Sequence, residues 1–295
     1  MNGVSVIIPA YGPGNGDDWQ LIGLLDSLCE QTARPDEVLL CWDGPAAEGG
    51  ILQTLLTWKH GGHPFDFRLF QRTAPKTVEH GGPGLAEQIL FANVKGDVII
   101  HMDSDGYVDK HMVEFVIAQD LCKPMMRCLW GQNVFHDAET GAKLPHVDPR
   151  MERYPKTPGV YKMGYDPLDA HGALWACPAK TIHELGGHEM RGIDFRGNDS
   201  RLGQRLQNIM ECDLVTDKRF QFHHFGLPTQ YSLLHRLTVT KRSSSEDRFQ
   251  AAKDIERFKK SHRLPQLGWR DPLICNGGPA FWQSGILDGM YREIT

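Results

Sequence analysis

Two aspartates separated by a single residue carry the chain's clearest chemistry. Asp103 and Asp105 follow a largely apolar and β-branched run at 98–102, and glycines at 96 and 106 bound the stretch. Residues two apart in an extended chain point to the same side, so both carboxylates can face one ligand. Hard divalent cations such as Mg²⁺ and Mn²⁺ take oxygen ligands and combine one or two carboxylates with substrate phosphates. The motif predicts a metal-binding turn; an ordinary Asp- and Gly-rich turn is the alternative.

The segments that must position these carboxylates alternate between strand and helix patterns. Residues 4–9 form an apolar run stopped by proline, leucines then recur at a helical period through 21–28, and a second apolar run, 37–42, ends at Asp43. Strand, helix, strand is typical of a parallel sheet, whose ligands bind outside the carboxyl ends of its strands. The three aspartates are therefore expected at one edge of an α/β fold.

In this order the motifs resemble those of GT-A fold glycosyltransferases, specifically family 2. The matching segments are SVIIPAY at 5–11, LDSLCEQT at 25–32, the strand 37–43 and the stretch 96–105. The resemblance covers about residues 4–224 and implies a GT-A (nucleotide-diphospho-sugar transferase) fold, with a mostly parallel central sheet flanked by helices. It further implies a metal-dependent enzyme that moves a sugar from a nucleotide-sugar, expected to be a UDP-sugar, to a carbohydrate or other hydroxyl acceptor with inversion.

The resemblance also assigns donor-site roles. Asp43 would accept a hydrogen bond from the nucleobase, while Asp103 and Asp105 would organise ribose, diphosphate and either Mn²⁺ or Mg²⁺. The implied donor-binding set is Pro9, Ala10, Tyr11, Asp43, Asp103, Ser104 and Asp105. Two departures affect this region: residues 12–18 are inserted where the family usually has Asn, and Gly44-Pro45 follows the nucleobase aspartate.

A later motif places an acid in the acceptor half. The Gly-Gly turn at 186–187 and residues 196–206 resemble the family's acceptor-side segment, in which a Glu-Asp pair heads a helix. Asn198 replaces the first acid, and Asp199 matches the second, which would be the catalytic base. The residues alone fit another role equally well, because an acid in the first helical turn complements the helix dipole, which would lower its pKa.

Two adjacent histidines, His223 and His224, end a short strand pattern. Several GT-A enzymes supply a His from this region as a further metal ligand, and an imidazole suits Mn²⁺ better than Mg²⁺. Neighbouring strand residues point to opposite faces, so at most one of the two reaches the metal. We assign His224, with ordinary sheet or surface histidines as the alternative.

Composition narrows the class of protein. The net charge of −5 over 295 residues provides no basic footprint for nucleic acid. No apolar run approaches the ~20 residues of a transmembrane segment, and the start lacks the layout of a signal peptide, so a cytoplasmic location is expected. The seven cysteines include no Cys-x-x-Cys pair and are interpreted as reduced thiols.

We predict a GT-A domain over residues 1–226, with a donor half at 1–106 and an acceptor half at 107–226. A C-terminal extension, 227–295, with a helix near 248–260, is expected to pack on the same domain. Two other functions stay open. A sugar-1-phosphate nucleotidyltransferase shares the sheet and metal but needs a Gly-rich, Arg- and Lys-bearing opening loop that this chain lacks. A nucleotide-sugar-binding protein without turnover is suggested by the loss of the first acid at Asn198.

Overall fold

The computed structural model describes residues 3–10, 18–43, 49–73, 83–121, 127–136, 142–143, 173–188, 202–203, 205–206, 210–225 and 279–295. The strands are β1 (Val4–Ala10), β2 (Glu37–Trp42), β3 (Asp66–Arg72), β4 (Val98–Met102), β5 (Gly106–Val108), β6 (Arg127–His136), β7 (Leu174–Pro178), β8 (Asp213–Phe225) and β9 (Tyr291–Ile294). The helices are α1 (Asp18–Cys29), α2 (Gly49–Lys59), α3 (Pro83–Asn93), α4 (Met112–Ala118), α5 (Ala179–Leu185) and α6 (Ala280–Gln283), and residues 202–203 and 205–206 are also helical.

All these strands join one sheet, in the order β5-β8-β6-β7-β4-β1-β2-β3-β9. The central strands β4, β1, β2 and β3 are parallel, as are β6 and β8. The remaining pairings, β4 with β7, β6 with β7, β5 with β8 and β3 with β9, are antiparallel. The parallel arrangement expected from the strand-helix-strand pattern is thus that of the central four strands, and the sheet as a whole is mixed.

The sheet separates two hydrophobic cores, which explains the continuous apolar runs of its central strands. Alternate residues of β1 point to opposite faces, with Val6 and Ile8 in one core and Ile7 in the other. Helices α1, α2 and α4 pack in the first core, and α3, α5 and α6 in the second. A strand covered on both faces is largely apolar, as the fully buried β4 is apart from His101.

The predicted boundaries of the central elements agree with the structure. Strands β2 and β4 cover the residues expected, and the leucines of α1 are buried. The helix expected at 248–260 lies outside the described residues. In the described part of the extension, β9 pairs with β3, and Nζ of Lys59 donates to the carbonyl of Ile294 at 2.5 Å.

No helix within the described residues is both long and apolar enough to cross a membrane. The cysteines in the same residues are free thiols: Cys29 is half-buried, and Cys41, Cys128, Cys177 and Cys212 are buried.

Candidate active site

Strand direction brings the predicted ligands to one edge of the sheet. Strand β7 runs antiparallel to β4, and β6 runs antiparallel to β7, so β6 and its parallel neighbour β8 share the direction of β4. The carboxyl end of β8, with His224, therefore lies at the same edge as the carboxyl end of β4, after which Asp103 and Asp105 follow. The short strand β5 closes the gap, because its first residue, Gly106, lies opposite His224.

Asp103, Asp105 and His224 form a cluster with the donor set of a divalent cation site. One ligand atom from each lies within 4.8 Å of the others, and all three residues are partly exposed. Two ligand atoms on opposite sides of an ion bound at ~2.1 Å are separated by about 4.2 Å, so the cluster is close to the required size. Two carboxylates and one imidazole fit Mn²⁺ or Mg²⁺, and the nitrogen favours Mn²⁺.

Backbone and electrostatic contacts fix the cluster. The N–H of Asp103 donates to the carbonyl of Ala173 at 2.9 Å, which extends the β4–β7 ladder by one residue. Oδ1 of Asp105 lies 3.3 Å from Nδ1 of His224. Burial raises the pKa of Asp105, but the imidazole outweighs this and the net pKa is below its ordinary value. The carboxylate is therefore ionised, as a metal ligand must be.

Gly106 is required for the close approach of β5 to β8. A Cβ at this position would collide with the carbonyl oxygen of His223 and the ring of Phe222. The ring of Phe222 in turn packs edge-on against His224, with centroids 4.7 Å apart. A glycine after the Asp-x-Asp motif thus lets the imidazole of His224 sit beside Asp105.

His223 points to the opposite face and does not join the cluster. Its ring stacks on Tyr107 with centroids 4.6 Å apart, its Nδ1 lies 3.0 Å from Nε2 of His136, and its Nε2 lies 3.3 Å from Oδ2 of Asp109. Burial lowers the pKa of His223. The alternation expected for neighbouring strand residues therefore separates the two histidines as predicted, with His224 on the side of the aspartates.

Asp43 lies at the end of β2 in an ion pair that the sequence interpretation did not include. Nη1 of Arg72, the last residue of β3, lies 2.9 Å from Oδ1 of Asp43, and the two side chains are 2% and 6% exposed. The N–H of Asp43 donates to the carbonyl of Ala10 at 2.8 Å. The pairing with Arg72 orients the carboxylate of Asp43, and a carboxylate can accept about four hydrogen bonds. The sequence did contain a signal for this pair, namely an arginine at the end of the neighbouring parallel strand.

A second group, of one acid and two histidines, lies in the interior, and sequence reasoning missed it. Oε1 of Glu87, on α3, is 3.0 Å from Nε2 of His101, and Oε2 is 2.9 Å from Nε2 of His188. All three side chains are almost completely buried. Burial raises the pKa of Glu87, but the two histidines outweigh it and hold the pKa well below its ordinary value. We call these residues the interior triad.

The remaining predicted site residues are divided by what the structure describes. Pro9 and Ala10 end β1 at the same edge, and Ser104 lies partly exposed between the two aspartates. Tyr11, residues 12–17 of the insertion and Asp199 lie outside the described residues. Leu202 and Leu206, which follow Asp199 in the sequence, are buried in the second core.

Comparisons with known proteins agree with this architecture. Residues 5–186 match the model of glycosyl transferase family 2. No curated protein sequence matches the chain.

Solved glycosyltransferases share its fold. The mannosyltransferase PcManGT from Pyrobaculum calidifontis, in complex with GDP-Man and Mn²⁺, has a TM-score of 0.57 and 16% identity, over 93% of this chain and 68% of that one. S. aureus TarS 1-349 in complex with UDP has a TM-score of 0.51 and 15% identity, over 84% of this chain and 68% of that one. GalNAc-T7 with UDP, GalNAc and Mn²⁺ has a TM-score of 0.53 and 16% identity, over 77% and 44%. The likeness is one of fold, the GT-A fold.

Proposed function

The chain belongs to glycosyl transferase family 2, and from this premise we propose that it transfers a sugar from a UDP-sugar to an acceptor hydroxyl, with metal dependence and with inversion at the anomeric carbon. The cluster of Asp103, Asp105 and His224 at the carboxyl edge carries the proposal. These residues would hold Mn²⁺ in preference to Mg²⁺. A cation bound there supplies neutralisation of the charge that builds on the departing diphosphate.

Asp43 would bind the nucleobase. Its carboxylate is fixed by Arg72, so a ring N–H can meet an acceptor that is already oriented. Preorganised hydrogen-bond partners cost no further ordering when a ligand binds. Pro9, Ala10, Tyr11 and Ser104 complete the proposed donor site.

Asp199 would act as the general base. Its carboxylate would take the proton from the acceptor hydroxyl as the new bond from that oxygen to the anomeric carbon forms. The bond from the anomeric carbon to the diphosphate oxygen breaks on the opposite face, and its electron pair leaves with the diphosphate. Attack from the face opposite the leaving group gives inversion.

The donor is tested directly by ligand binding. A bound ligand stabilises a protein by mass action, so UDP with Mn²⁺ should raise Tm more than GDP with Mn²⁺, and more than UDP with a chelator. A folded protein that gains equal stability from both nucleotides would contradict the uridine assignment. Equal gains with and without metal would contradict the metal role.

Turnover is tested with the donor that binds best. UDP-sugars incubated with Mn²⁺ and a panel of hydroxyl acceptors should release UDP, and Asp199→Asn should lower the rate by ~10²–10⁴-fold with donor affinity nearly unchanged. Asn also accepts hydrogen bonds from helix-end N–H groups, so it preserves a capping role. A rate within a few fold of wild type would remove Asp199 as the base. Tight donor binding without UDP release would favour a binding protein.

The cytoplasmic location stays a prediction.

A further inference from the structure

Three ring side chains from β5, β6 and β8 converge on the side of β8 opposite Asp105 and His224. Nε2 of His136, the last residue of β6, lies 3.0 Å from Nδ1 of His223 and 3.3 Å from the hydroxyl oxygen of Tyr107. The ring of Tyr107 stacks on that of His223, with centroids 4.6 Å apart and planes inclined by 12°. All three residues are partly exposed, so their two nitrogens and one oxygen form a polar group that is open to solvent.

The spacing of these atoms is that of neighbouring ligands around one transition-metal ion. Two ligand atoms bound at ~2.05 Å are about 2.9 Å apart when their bonds meet at a right angle, and about 3.3 Å apart at the tetrahedral angle. The distances from Nε2 of His136 to Nδ1 of His223 and to the oxygen of Tyr107, 3.0 and 3.3 Å, match this range. Without an ion, the two nitrogens share one hydrogen bond, for which one of them carries the proton. A bound ion would take the place of that proton.

A carboxylate behind His223 orients this ring for ligation. Oδ2 of Asp109 lies 3.3 Å from Nε2 of His223, so Nε2–H donates to the carboxylate and the lone pair is left on Nδ1, the atom nearest His136. Histidines that bind metals commonly donate their other ring N–H to a carboxylate in this way. Lys143 lies across an isolated bridge from His136, and its charge disfavours a cation near His223, whereas the charge of Asp109 favours one. The arrangement matches the series carboxylate, histidine, metal.

We propose that His136, His223 and Tyr107, which we call the imidazole site, bind a divalent transition-metal ion that prefers nitrogen ligands, of the class of Zn²⁺. Imidazole nitrogens suit Zn²⁺, whereas Mg²⁺ takes oxygen ligands and Mn²⁺ is the weakest binder among the first-row divalent ions. The cluster at the carboxyl edge has two carboxylates and one imidazole, so the two sites differ in the ion they prefer. The proposal concerns the other side of β8 and does not depend on the proposed function.

Calorimetric titration of the full chain with Zn²⁺ tests the site. Because the edge cluster can also bind Zn²⁺, the titrations use Asp105→Asn as the background. We expect this protein to bind Zn²⁺ in the presence of excess Mg²⁺. Adding His136→Gln should weaken that binding by at least ~10–100-fold, because the loss of a residue that only supports a metal ligand already costs that much. Adding Asp109→Asn instead should weaken it by ~10-fold, because the amide accepts the proton of His223 less strongly than the carboxylate does.

A histidine outside the site controls for the loss of one imidazole from the surface. Nδ1 of His111 lies 3.1 Å from Oε2 of Glu114, and both side chains are mostly exposed. In the Asp105→Asn background, His111→Gln should leave the affinity for Zn²⁺ unchanged. Equal weakening by His111→Gln and His136→Gln would overturn the proposal, as would unchanged affinity in a folded His136→Gln variant.

Nuclear magnetic resonance of the wild-type chain with isotope-labelled histidine identifies the ligand atoms and requires no variant to fold. Zn²⁺ should shift the resonances of Nε2 of His136 and Nδ1 of His223, while Nε2 of His223 keeps its proton because Asp109 accepts it. Loss of that proton with ligation through Nε2 of His223 would overturn the assigned geometry. The absence of a shift at both histidines would overturn the site itself.

Discussion

Two of the carboxylate–histidine groups among the described residues have similar composition but different surroundings. At the carboxyl edge of the sheet, Asp105 and His224 lie 3.3 Å apart and are 34% and 13% exposed. In the interior triad, Glu87 contacts two imidazoles at 2.9 and 3.0 Å, and every side chain is at most 3% exposed. The first group has a second carboxylate, Asp103, within reach and an opening to solvent; the second has protein on all sides.

The difference in burial separates a binding role from a structural one. A carboxylate can exchange its imidazole partner for a cation only if the ion can reach it and another ligand stands ready. A fully enclosed carboxylate with two imidazoles is already compensated, and removing one member leaves a buried group without its partner. The comparison predicts that substitutions at the edge change ligand binding and rate, whereas substitutions in the triad change stability.

The largest effect is expected at the edge. Asp105→Asn should lower the transfer rate by ~10²–10⁴-fold, because Lewis-acid stabilisation of a leaving group is worth several kcal/mol. The free energy of unfolding should change little. Metal-dependent UDP affinity and transfer rate are measured together, with Asp109→Asn as a control near His223 on the other face. Unchanged Mn²⁺-dependent UDP affinity in Asp105→Asn would place the metal elsewhere.

The triad should respond in stability. Glu87→Gln is expected to lower the free energy of unfolding by ~3 kcal/mol at pH 7, since it breaks a buried charge pair. The pKa of Glu87 in the folded protein is below its ordinary value. Its contribution is therefore present above the unfolded pKa of ~4.3 and is lost as the pH falls from there towards the folded pKa.

Urea denaturation of wild type and Glu87→Gln at several pH values tests this sign. The difference between the two proteins should shrink as the pH is lowered below about 4. A difference that grows on acidification would contradict the role assigned to Glu87.

His223 and His224 provide the sharpest comparison, because they are adjacent in β8 but point to opposite faces. His224→Ala should weaken Mn²⁺ activation by at least ~10–100-fold, because the loss of a residue that only supports a metal ligand already costs that much. His223→Ala should leave that activation intact and cost ~1 kcal/mol in stability, because its contacts with Tyr107 and His136 are lost. Manganese titrations of activity compare the two. Equal loss in both would mean that the alternation of faces does not decide which imidazole binds.

The smallest effect concerns Asp43, which combines features of both groups. It lies at the carboxyl edge of the sheet, as Asp105 does, but it is buried in an ion pair with Arg72. Asp43→Asn should lower affinity for uridine nucleotides by ~10-fold through a weaker bond to the ring, and should leave pyrophosphate binding unchanged. Alanine is the wrong probe here, because it removes the side-chain partner of a buried arginine together with the acceptor for the ring. Calorimetric titration with UDP and pyrophosphate measures both affinities. Parallel losses would indicate general damage.

Local sequence patterns predicted the central strands and the Asp-x-Asp edge because those features depend on burial and on a period of two residues. In an extended chain, the alternation of side chains alone places Asp103 and Asp105, which follow the run 98–102, on the same side. The faces of His223 and His224 followed from strand alternation alone.

Long-range partners were harder to foresee. Glu87 reads as an ordinary polar residue of α3, and nothing near it in sequence indicates that His101 and His188 enclose it. Arg205 likewise resembles an exposed helical arginine in the sequence, but in the structure it is buried and donates to the carbonyls of Leu185 and Gly187. Charges of this kind are placed by tertiary packing, which a local pattern does not encode.

The short pairing of β5 with β8 has a consequence for the order of folding. It joins Asp105 to an imidazole on the order of a hundred residues later in the chain, and contacts so far apart form late because loop closure must be paid for first. The pairings among β1, β2, β3 and β4 join segments that are closer in sequence, so they can form before β5 pairs with β8. We therefore expect Mn²⁺ binding at the proposed site to follow the pairing of the central strands during refolding, so that metal uptake reports the closure of β5 on β8.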